Sequence, residues 1–376
     1  MFMRSIILAC TFAAGMSPAI LAQTSLKDAF KNYFLIGAAL NSGHFTETDA
    51  VEATLVKQQF NAITPENDMK WERIHPRPDA GPAGFNFETA DKFVEFGEKN
   101  GMFIIGHCLV WHSQVPRWVF RDSEGKPLDR ASLLQRMREH IFTVVGRYKG
   151  RVDGWDVVNE ALNEDGTLRK SPWFNIIGAD YIARAFEYAQ EADPDAELYY
   201  NDYNLEYEAK RNGAVELVRK LKQQGIKITA IGTQSHHKLK QPSLRQIKDT
   251  VKAFKELGVK VAITELDVDV LPAVTFRPTA DVSARAKAGP ESNPYVDGLP
   301  AEMQQALAER YKDIFAIYLK YKDVITRVTF WGVTDRHSWL NYFPVGGRTN
   351  YPLLFDREGK PKPAYYAVIK EAETAQ

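Results

Sequence analysis

Residues 152–166, VDGWDVVNEALNEDG, pass from an apolar, strand-like run into polar, turn-forming sequence, and the change falls at Asn159 and Glu160. A glutamate at this point has an ordinary explanation, because acidic side chains are favoured in the first turn of a helix. It has a second explanation if the run is a strand of a parallel sheet, since ligands bind at the carboxyl ends of such strands. The rest of the chain decides between the two.

Eight short runs rich in β-branched and aromatic residues recur along the chain, and each precedes a sequence with the apolar spacing of an amphipathic helix. The predicted strands are 34–40, 60–67, 102–110, 152–160, 196–202, 228–236, 261–267 and 328–333. Eight such units without a linker predict the α/β class and a single (β/α)8 TIM barrel. An open doubly wound sheet is the alternative, and it is less favoured because no G-x-G-x-x-G or P-loop motif follows any strand.

The composition is that of a globular protein with balanced charge. The chain has 376 residues, of which 44% are hydrophobic, and its 48 basic side chains equal its 48 acidic ones. This balance gives no broad attraction for nucleic acid or an anionic membrane, so we expect no nucleic-acid partner and a neutral or mixed ligand. Beyond the N-terminal segment no run approaches the roughly 20 apolar residues of a membrane span. We also expect the protein to be a monomer.

The N-terminal segment resembles a secretory signal. Arg4 is followed by a mostly apolar stretch from 5 to 22, and the AILAQ junction predicts cleavage after Ala22. We therefore expect a leader at 1–22, one barrel domain at 23–376, and export to the medium or the periplasm. A lipoprotein signal ending at Cys10 is the rival, with a shorter apolar region at 5–9. Cleavage after Ala22 would leave Cys108 as the single cysteine, in an apolar run that indicates a structural thiol.

Polar side chains gather at the carboxyl ends of the predicted strands. They are Glu66, Asn67, His107, Asn159, Glu160, Asn201, Asp202, Gln234, His236, Glu265 and Asp267. One polar residue at a strand end is more often a helix cap than part of a site. Their recurrence on most strands instead predicts an active site, because these ends converge on one face of a barrel.

Two carboxylates of this group directly follow apolar runs, Glu160 on the fourth strand and Glu265 on the seventh, 105 residues apart. Paired carboxylates suit glycoside hydrolysis, in which one protonates the departing oxygen and the other attacks the sugar or activates water. The aromatic residues near strand ends, Trp111, Tyr203, Trp331 and Trp339, can cover sugar faces. We assign Trp118, Trp155 and Trp173 to the core instead.

Metal catalysis is the competing enzymatic class, and the histidine spacing disfavours it. His107 and His112 are five residues apart and His236 and His237 are adjacent, so on extended backbone each pair points to opposite faces. The sequence has no HExxH motif and no cysteine cluster, and we expect neither a metal nor a cofactor.

The segments around these residues resemble glycoside hydrolase family 10, the family of endo-β-1,4-xylanases, over nearly the whole mature chain. They are WDVVNEA, GVKVAITELDV, ITPENDMKWE, GHCLVWHSQVPRW, GTQSHH and FWGVTDRHSW. The resemblance implies retaining hydrolysis of xylan and xylo-oligosaccharides. A cellulase or mannanase of similar architecture and an inactive sugar-binding barrel are the alternatives, since a fold and a carboxylate pair do not fix the sugar.

The resemblance also implies a role for each matching residue. Glu160 would be the acid/base and Glu265 the nucleophile. In support, Asn159 would bind the sugar 2-hydroxyl, His236 would orient Glu265 with Asp267 behind it, and Gln234 would lie near the pair. The substrate-binding residues would be His107, Trp111, Trp331 and Trp339 near the bond, Tyr203, and further along Glu66, Asn67, Lys70 and Gln114. Cys108 and the long predicted loop 272–300 above the seventh strand depart from the family pattern.

Overall fold

The computed structural model describes residues 24–78, 84–274, 284–287 and 289–375. The expected leader at 1–22, with Cys10, lies outside these residues, and so does the middle of the predicted 272–300 loop. Within the described ranges no helix has the length and apolar character needed to cross a membrane.

Nine strands and twelve α-helices form the described part of the chain. The strands are β1 Leu35–Leu40, β2 Ala62–Pro65, β3 Phe103–Val110, β4 Gly154–Asn159, β5 Glu197–Asp202, β6 Ala230–Thr233, β7 His236–Lys238, β8 Lys260–Asp269 and β9 Ile325–Phe330. The helices are α1 Leu26–Ala29, α2 Ser42–Phe45, α3 Ala50–Gln59, α4 Trp71–Ile74, α5 Glu88–Lys99, α6 Arg130–Arg147, α7 Pro172–Ile177, α8 Tyr181–Ala192, α9 Glu208–Gln223, α10 Leu244–Glu256, α11 Ala301–Lys320 and α12 Pro363–Thr374. Short 3₁₀ helices lie at Arg117–Phe120, Pro290–Ser292, Asp335–His337 and Trp339–Asn341.

The strands close into a barrel in which every pairing is parallel. Each strand from β1 to β5 pairs with the next, β6 pairs with β8, and β9 joins β8 to β1. The short strand β7 continues beyond β6 and pairs with the last part of β8, with His236 opposite Asp267. Eight strands thus form the closed ring, which confirms the predicted (β/α)8 barrel.

Six of the eight predicted strands lie within two residues of their predicted bounds at each end, and two differ by more. The sixth predicted strand, 228–236, is interrupted where Ser235 adopts a φ of 59°, and it continues as β7. The eighth begins three residues earlier than predicted, at Ile325, and ends at Phe330. The early residues were missed because Arg327 is charged, yet its guanidinium is buried inside the barrel, 4.5 Å from the centre of the Tyr199 ring.

The core confirms most of the predicted buried positions. Trp155 and Trp173 are fully buried, as is the Cys108 thiol, whose pKa is raised well above its usual value by burial. Trp118 is only half-buried and donates its indole N–H to the carbonyl of Pro76. A side chain at Gly106 would meet the Trp155 ring at 2.1 Å, so the indole fits against β3 only because that position is glycine.

Candidate active site

One cavity of about 400 Å³ opens at the carboxyl ends of the barrel strands. All fifteen residues that were given a role from the sequence line it: Glu66, Asn67, Lys70, His107, Trp111, Gln114, Asn159, Glu160, Tyr203, Gln234, His236, Glu265, Asp267, Trp331 and Trp339. Ten more residues line it that were given no role from the sequence: Asn204, His237, Lys238, Asp269, Pro272, Val274, Leu340, Phe343, Pro344 and Arg348. Pro272 and Val274 bring the start of the long loop after β8 to the rim.

Glu160 lies one residue beyond β4, where the chain turns sharply out of the barrel. Its φ is 57°, a conformation uncommon for a residue with a side chain, and its amide N–H donates to the Asn201 carbonyl at 2.8 Å. The carboxylate is held from both sides, because Trp111 donates its indole N–H to Oε2 at 2.9 Å and Gln234 donates to Oε1 at 2.9 Å. The side chain therefore has a single fixed orientation.

Burial raises the pKa of Glu160. The nearby Glu265 carboxylate raises it further, whereas the hydrogen bonds from Gln234 and Trp111 oppose the shift without cancelling it. A buried carboxyl next to a second acid favours its neutral form, so this environment suits a proton donor.

Glu265 lies within β8 and has different partners. Asn201 donates its amide to Oε1 at 2.9 Å, and Nε2 of His236 lies 3.1 Å from Oε2. The other ring nitrogen of His236, Nδ1, lies 3.1 Å from Oδ2 of Asp267. An imidazole between two carboxylates can donate to both when it is protonated.

The environment of Glu265 favours its ionised form. Burial alone would raise the pKa of this carboxyl, but the hydrogen bond and charge of His236 outweigh burial and hold it below its ordinary value. Burial likewise disfavours the charged form of His236, yet Asp267 and Glu265 together raise the histidine pKa to about 10. Two buried glutamates in one cavity thus have pKa values shifted in opposite directions.

Asn201 links the two halves of this arrangement, although the sequence marked it only as one polar strand end among many. Its side-chain amide donates both to Glu265 and to Oδ1 of Asn159, the latter at 2.9 Å, and its own oxygen accepts from Thr264 at 2.7 Å. It is fully buried. A side chain at Gly232 would approach Asn201 Oδ1 at 2.5 Å, so glycine there leaves room for the amide.

Aromatic rings form one wall of the cavity. Trp339 donates its indole N–H to Oδ2 of Asp267 at 2.7 Å and stacks on Phe343, with ring centres 5.1 Å apart. Trp331 and His107 form a T-shaped pair with ring centres 5.5 Å apart, and Nδ1 of His107 lies 2.9 Å from an oxygen of the buried Asp156. These contacts fix flat apolar faces beside the carboxylate pair.

Polar side chains at the ends of β2 and β3 form a connected network. Lys70 donates to Asn67 at 3.1 Å and to Gln114 at 2.8 Å, and Gln114 donates in turn to Asn67. The Lys70 ammonium also lies 5.1 Å from the centre of the Trp111 ring. Glu66 lies beside this group, and burial raises its pKa. Amides, an ammonium and a carboxyl in one network are suited to binding hydroxyl groups.

A sequence model of glycosyl hydrolase family 10 matches residues 25–371. The chain belongs to glycosyl hydrolase family 10. This confirms the resemblance drawn from the strand-end segments, and the match spans the whole barrel.

Members of family 10 with curated names are close in sequence to this chain. It is 48% identical to endo-1,4-beta-xylanase A of Xylanibacter ruminicola over 348 residues, 93% of each protein. It is 44% identical to the beta-1,4-xylanase of Dictyoglomus thermophilum over 351 residues, 92% of this chain and 90% of that protein. A solved family 10 endoxylanase from a sugarcane soil metagenome is 49% identical, with a TM-score of 0.87 over 93% of this chain and all of that one.

A group of possible metal ligands lies away from the carboxylate pair of this family 10 barrel. Among the described residues, His44, Glu52 and His337 have donor atoms within 4.8 Å of one another. Glu52 already accepts hydrogen bonds from Thr334 and Arg336. The Nδ1 atom of His44 accepts the Asn41 amide N–H, which places the proton on Nε2 against Glu52. The donors are thus occupied by an ion-pair network that joins the chain after β1 to the chain after β9.

Proposed function

We propose that this chain is an endo-1,4-β-xylanase that cleaves xylan and xylo-oligosaccharides with retention of anomeric configuration. The observation that carries the proposal is the pair Glu160 and Glu265, which line one cavity with pKa values shifted in opposite directions. Double displacement needs this division, an acid that holds its proton beside a carboxylate that stays ionised. The names of the family 10 relatives indicate the sugar.

In the first step Glu265 attacks the anomeric carbon while Glu160 donates its proton to the glycosidic oxygen. The bond from carbon to that oxygen breaks, the leaving sugar departs with the proton, and the glycone is bound to Glu265 as an ester. In the second step Glu160 takes a proton from water, and the resulting nucleophile attacks the same carbon and releases Glu265. Both carboxyls then return to their starting states, and each step uses only these side chains and water.

The second step requires Glu160 to change from acid to base, and the surroundings of the pair supply a reason. The charge of Glu265 raises the pKa of Glu160 in the free enzyme. Once Glu265 is esterified it carries no charge, so the pKa of Glu160 falls and its ionised form becomes accessible. His236 and Asp267 hold Glu265 ionised before attack, and Asn201 fixes its other oxygen.

The remaining residues would bind the sugar chain. Asn159 would bond the 2-hydroxyl of the sugar being cleaved, with Gln234 positioning Glu160. His107, Trp111 and Trp331 would surround the glycone at the bond, and the network of Glu66, Asn67, Lys70 and Gln114 would bind hydroxyls further along. Tyr203, on the Glu160 side of the cavity, would contact the leaving sugar.

Trp339 would supply the preference for xylose. Its indole is fixed by Asp267 and Phe343 beside the carboxylate pair. In this position the indole would leave room for C5 of xylose but would crowd the hydroxymethyl group that glucose carries on the same carbon. A difference of this size usually gives about 1–3 kcal/mol of discrimination.

Product analysis on xylan, cellulose and mannan tests the proposal. We expect internal cleavage of xylan to short oligosaccharides, with much lower rates on the two hexose polymers, and a first-formed product with the β configuration. Faster release of oligosaccharides from cellulose or mannan than from xylan would overturn the assigned substrate. A first-formed α product would overturn the retaining mechanism.

We also infer that the protein is exported after cleavage at Ala22 and acts as a monomer. Arg4, the apolar stretch to residue 22 and the small residue at the junction support export. The exposed large apolar side chains among the described residues are Val51, Tyr207, Val296, Tyr342 and Tyr366, which lie far apart in the sequence. N-terminal sequencing of the secreted protein and light scattering after gel filtration test these points, and a lipid-modified Cys10 or a dimer mass would contradict them.

A further inference from the structure

Lys210 of α9 is a completely buried cation behind the cavity. Its Nζ lies 2.9 Å from Oδ1 of Asp202, which is also fully buried, and 3.4 Å from Oε1 of Glu164. The same ammonium lies 3.3 Å from the centre of the Tyr203 ring. Three elements therefore meet at one charge: the end of β5, the loop after β4, and a ring that lines the cavity.

The partners of Lys210 continue to the backbone beside Glu160. The second oxygen of Asp202 accepts the Tyr200 hydroxyl and, at 3.4 Å, the amide N–H of Leu162. Leu162 is two residues beyond Glu160, so the ion pair restrains the segment in which that glutamate leaves its strand.

A second cation completes this side of the cavity. Arg169 donates from Nε to the Glu160 carbonyl at 3.1 Å, and from Nη2 to the Leu162 carbonyl at 2.8 Å and the Tyr203 hydroxyl at 3.3 Å. Tyr203 thus has an ammonium against its ring and a guanidinium on its hydroxyl. Both cations hold the tyrosine and the Glu160 segment together.

Tyr203 lines the main cavity and also a second, more open pocket of about 350 Å³, together with Asn163, Glu164, Asp165 and Arg169. Its ring is only partly buried and does not belong to the hydrophobic core. Its orientation depends on the contacts with Lys210 and Arg169, and a buried cation–π contact is among the stronger of its kind.

We propose that Lys210 is a positioning residue that holds the acid/base Glu160 and the tyrosine beneath the leaving sugar, Tyr203, as one unit. The inference rests on the proposed function, since it assigns Glu160 to proton donation and Tyr203 to the leaving-group side. Lys210 does not line the cavity and acts only through its partners. Its loss should therefore weaken proton donation to a departing sugar more than attack by Glu265.

The variant Lys210→Met tests this with two substrates. Xylotetraose has a sugar leaving group that needs a proton and a surface to bind, whereas 2,4-dinitrophenyl β-xylobioside has a leaving group that departs without assistance. We expect kcat/KM on xylotetraose to fall roughly ten- to hundredfold, part of the general-acid contribution of about 10²–10⁴. On the dinitrophenyl substrate the expected loss stays within about threefold, the general-acid contribution being absent there.

Lys362 provides a matched control. It is 3% exposed, its Nζ lies 2.8 Å from Oδ2 of the buried Asp335, and it also donates to two backbone carbonyls. Lys362→Met breaks an equivalent buried ion pair, so it should lower the melting temperature comparably without changing the ratio of the two kcat/KM values. An unchanged ratio in Lys210→Met, or the same change of ratio in both variants, would overturn the positioning role.

The double variant Asp202→Asn, Lys210→Met tests the same role without leaving an unpaired buried charge that could prevent folding. Replacing both charges of a buried pair is tolerated far better than removing one, because no unpaired charge is left. The double variant also lacks the cation beneath Tyr203, so its substrate ratio should shift in the same direction, and an unshifted ratio would overturn the inference. A wild type that cannot cleave xylotetraose would overturn the proposed function itself. An active wild type whose variants keep the wild-type ratio of the two kcat/KM values would overturn only the positioning role of Lys210.

Discussion

Glu160 and Glu265 carry the same functional group, and the side chains that touch each carboxylate give them opposite tendencies. An indole and an amide hold Glu160 without adding positive charge. A histidine with a pKa raised to about 10 holds Glu265. The proton therefore belongs on the first residue and the negative charge on the second.

Glu160→Ala should affect substrates according to their leaving groups. Without the general acid, cleavage of xylo-oligosaccharides should fall by about 10²–10⁴ in kcat/KM, because the sugar must depart as an alkoxide. The kcat/KM for dinitrophenyl xylobioside, which reports its first step, should fall far less. Adding azide should restore turnover of that substrate and give a β-xylobiosyl azide, since a small anion needs no general base. Equal losses on both substrates would contradict the role.

His236→Asn should change the pH dependence of kcat/KM in a defined direction. Protonated His236 lowers the pKa of Glu265, so its removal raises that pKa. Activity needs Glu265 ionised, and the acid limb should therefore move to higher pH when the adjacent cation is lost. The alkaline limb, which reports loss of the proton from Glu160, serves as the internal control. An acid limb that stays in place would show that His236 does not hold Glu265 ionised.

Single residues could be recognised from the sequence where position alone is informative. Glu160 and Glu265 follow apolar runs, and a residue at the end of a barrel strand faces the site in nearly any register. Asn201 could be located but not given partners, because its bonds to Asn159 and Glu265 depend on the register of β5 against β4 and on closure to β8. Lys210 could not be found at all, since a lysine on a predicted amphipathic helix is normally solvent-exposed.

The strand ends of this barrel share a sharp change of backbone direction. Gln114, Glu160, Asn204 and Ser235 all adopt positive φ and follow β3, β4, β5 and β6 in turn. Non-glycine residues in this conformation are held by their surroundings at a cost of about 1–3 kcal/mol and cluster at functional sites. The turns let the side chains at the strand ends point into the cavity while the chain leaves toward the next helix.

Helix α9 packs closely against the loop that follows Glu160, because glycines face each other at Gly213 and Gly166. The substitution Gly213→Ala should push the helix away from the loop. A Cβ at Gly213 would lie 2.3 Å from the carbonyl oxygen of Gly166, which is backbone and cannot rotate away. Overpacking of this kind costs about 1–3 kcal/mol, more than the helix propensity gained. Denaturant unfolding should show this loss of stability.

Gly146→Ala is the matched control for that change. Gly146 lies in α6, and beyond its own stretch of helix no described residue comes within 4 Å of the position that a methyl group would take. Alanine there should therefore stabilise the protein by up to about 1 kcal/mol through helix propensity alone. If Gly213→Ala is as stable as Gly146→Ala, the close approach of α9 to the Gly166 turn is not required.

The predicted elements agree with the structure where apolar pattern decides and differ where a charge enters the barrel. The strands β1, β3 and β5 begin within one residue of prediction. The start of β9 was missed because of Arg327, and the division of the sixth strand depends on the backbone of Ser235, which no composition reveals.

At the scale of the whole molecule, stability should depend on a buried aromatic cluster outside the active site. His140 stacks on Trp71 with ring centres 3.5 Å apart, and His75 stacks on Phe85 at 3.8 Å. Burial lowers the pKa of His75 to about 4 and that of His140 well below its usual value. Both imidazoles are therefore neutral in the folded protein.

His75→Phe should make the protein more resistant to acid. The unfolded chain binds a proton at His75 below a pH of about 6.5, whereas the folded protein does so only near 4, so stability is lost as the pH falls through this window. At pH 5 the loss from this residue is about 2 kcal/mol. The drop in melting temperature between pH 7 and pH 5 should be smaller in His75→Phe than in the wild type. Equal drops would exclude His75 as a source of acid sensitivity.

The whole fold could be predicted because eight alternating units admit few arrangements, and closure brought all fifteen predicted site residues around one cavity. The cavity rim could not be predicted in the same way. Phe343 and Arg348 reach it from the chain beyond Trp339, and their positions depend on loop packing, which leaves no periodic signal in the sequence.

Covalent trapping tests the central claim, that Glu265 attacks the sugar and Glu160 assists. The wild type is incubated with 2,4-dinitrophenyl 2-deoxy-2-fluoro-β-xylobioside, whose fluorine slows hydrolysis of the intermediate, and the labelled protein is digested and sequenced by mass spectrometry. The mechanism predicts one added 2-fluoroxylobiosyl group per chain, attached to Glu265, with turnover restored when a xylo-oligosaccharide accepts the sugar. A label on any other residue, or full activity with no label, would contradict it.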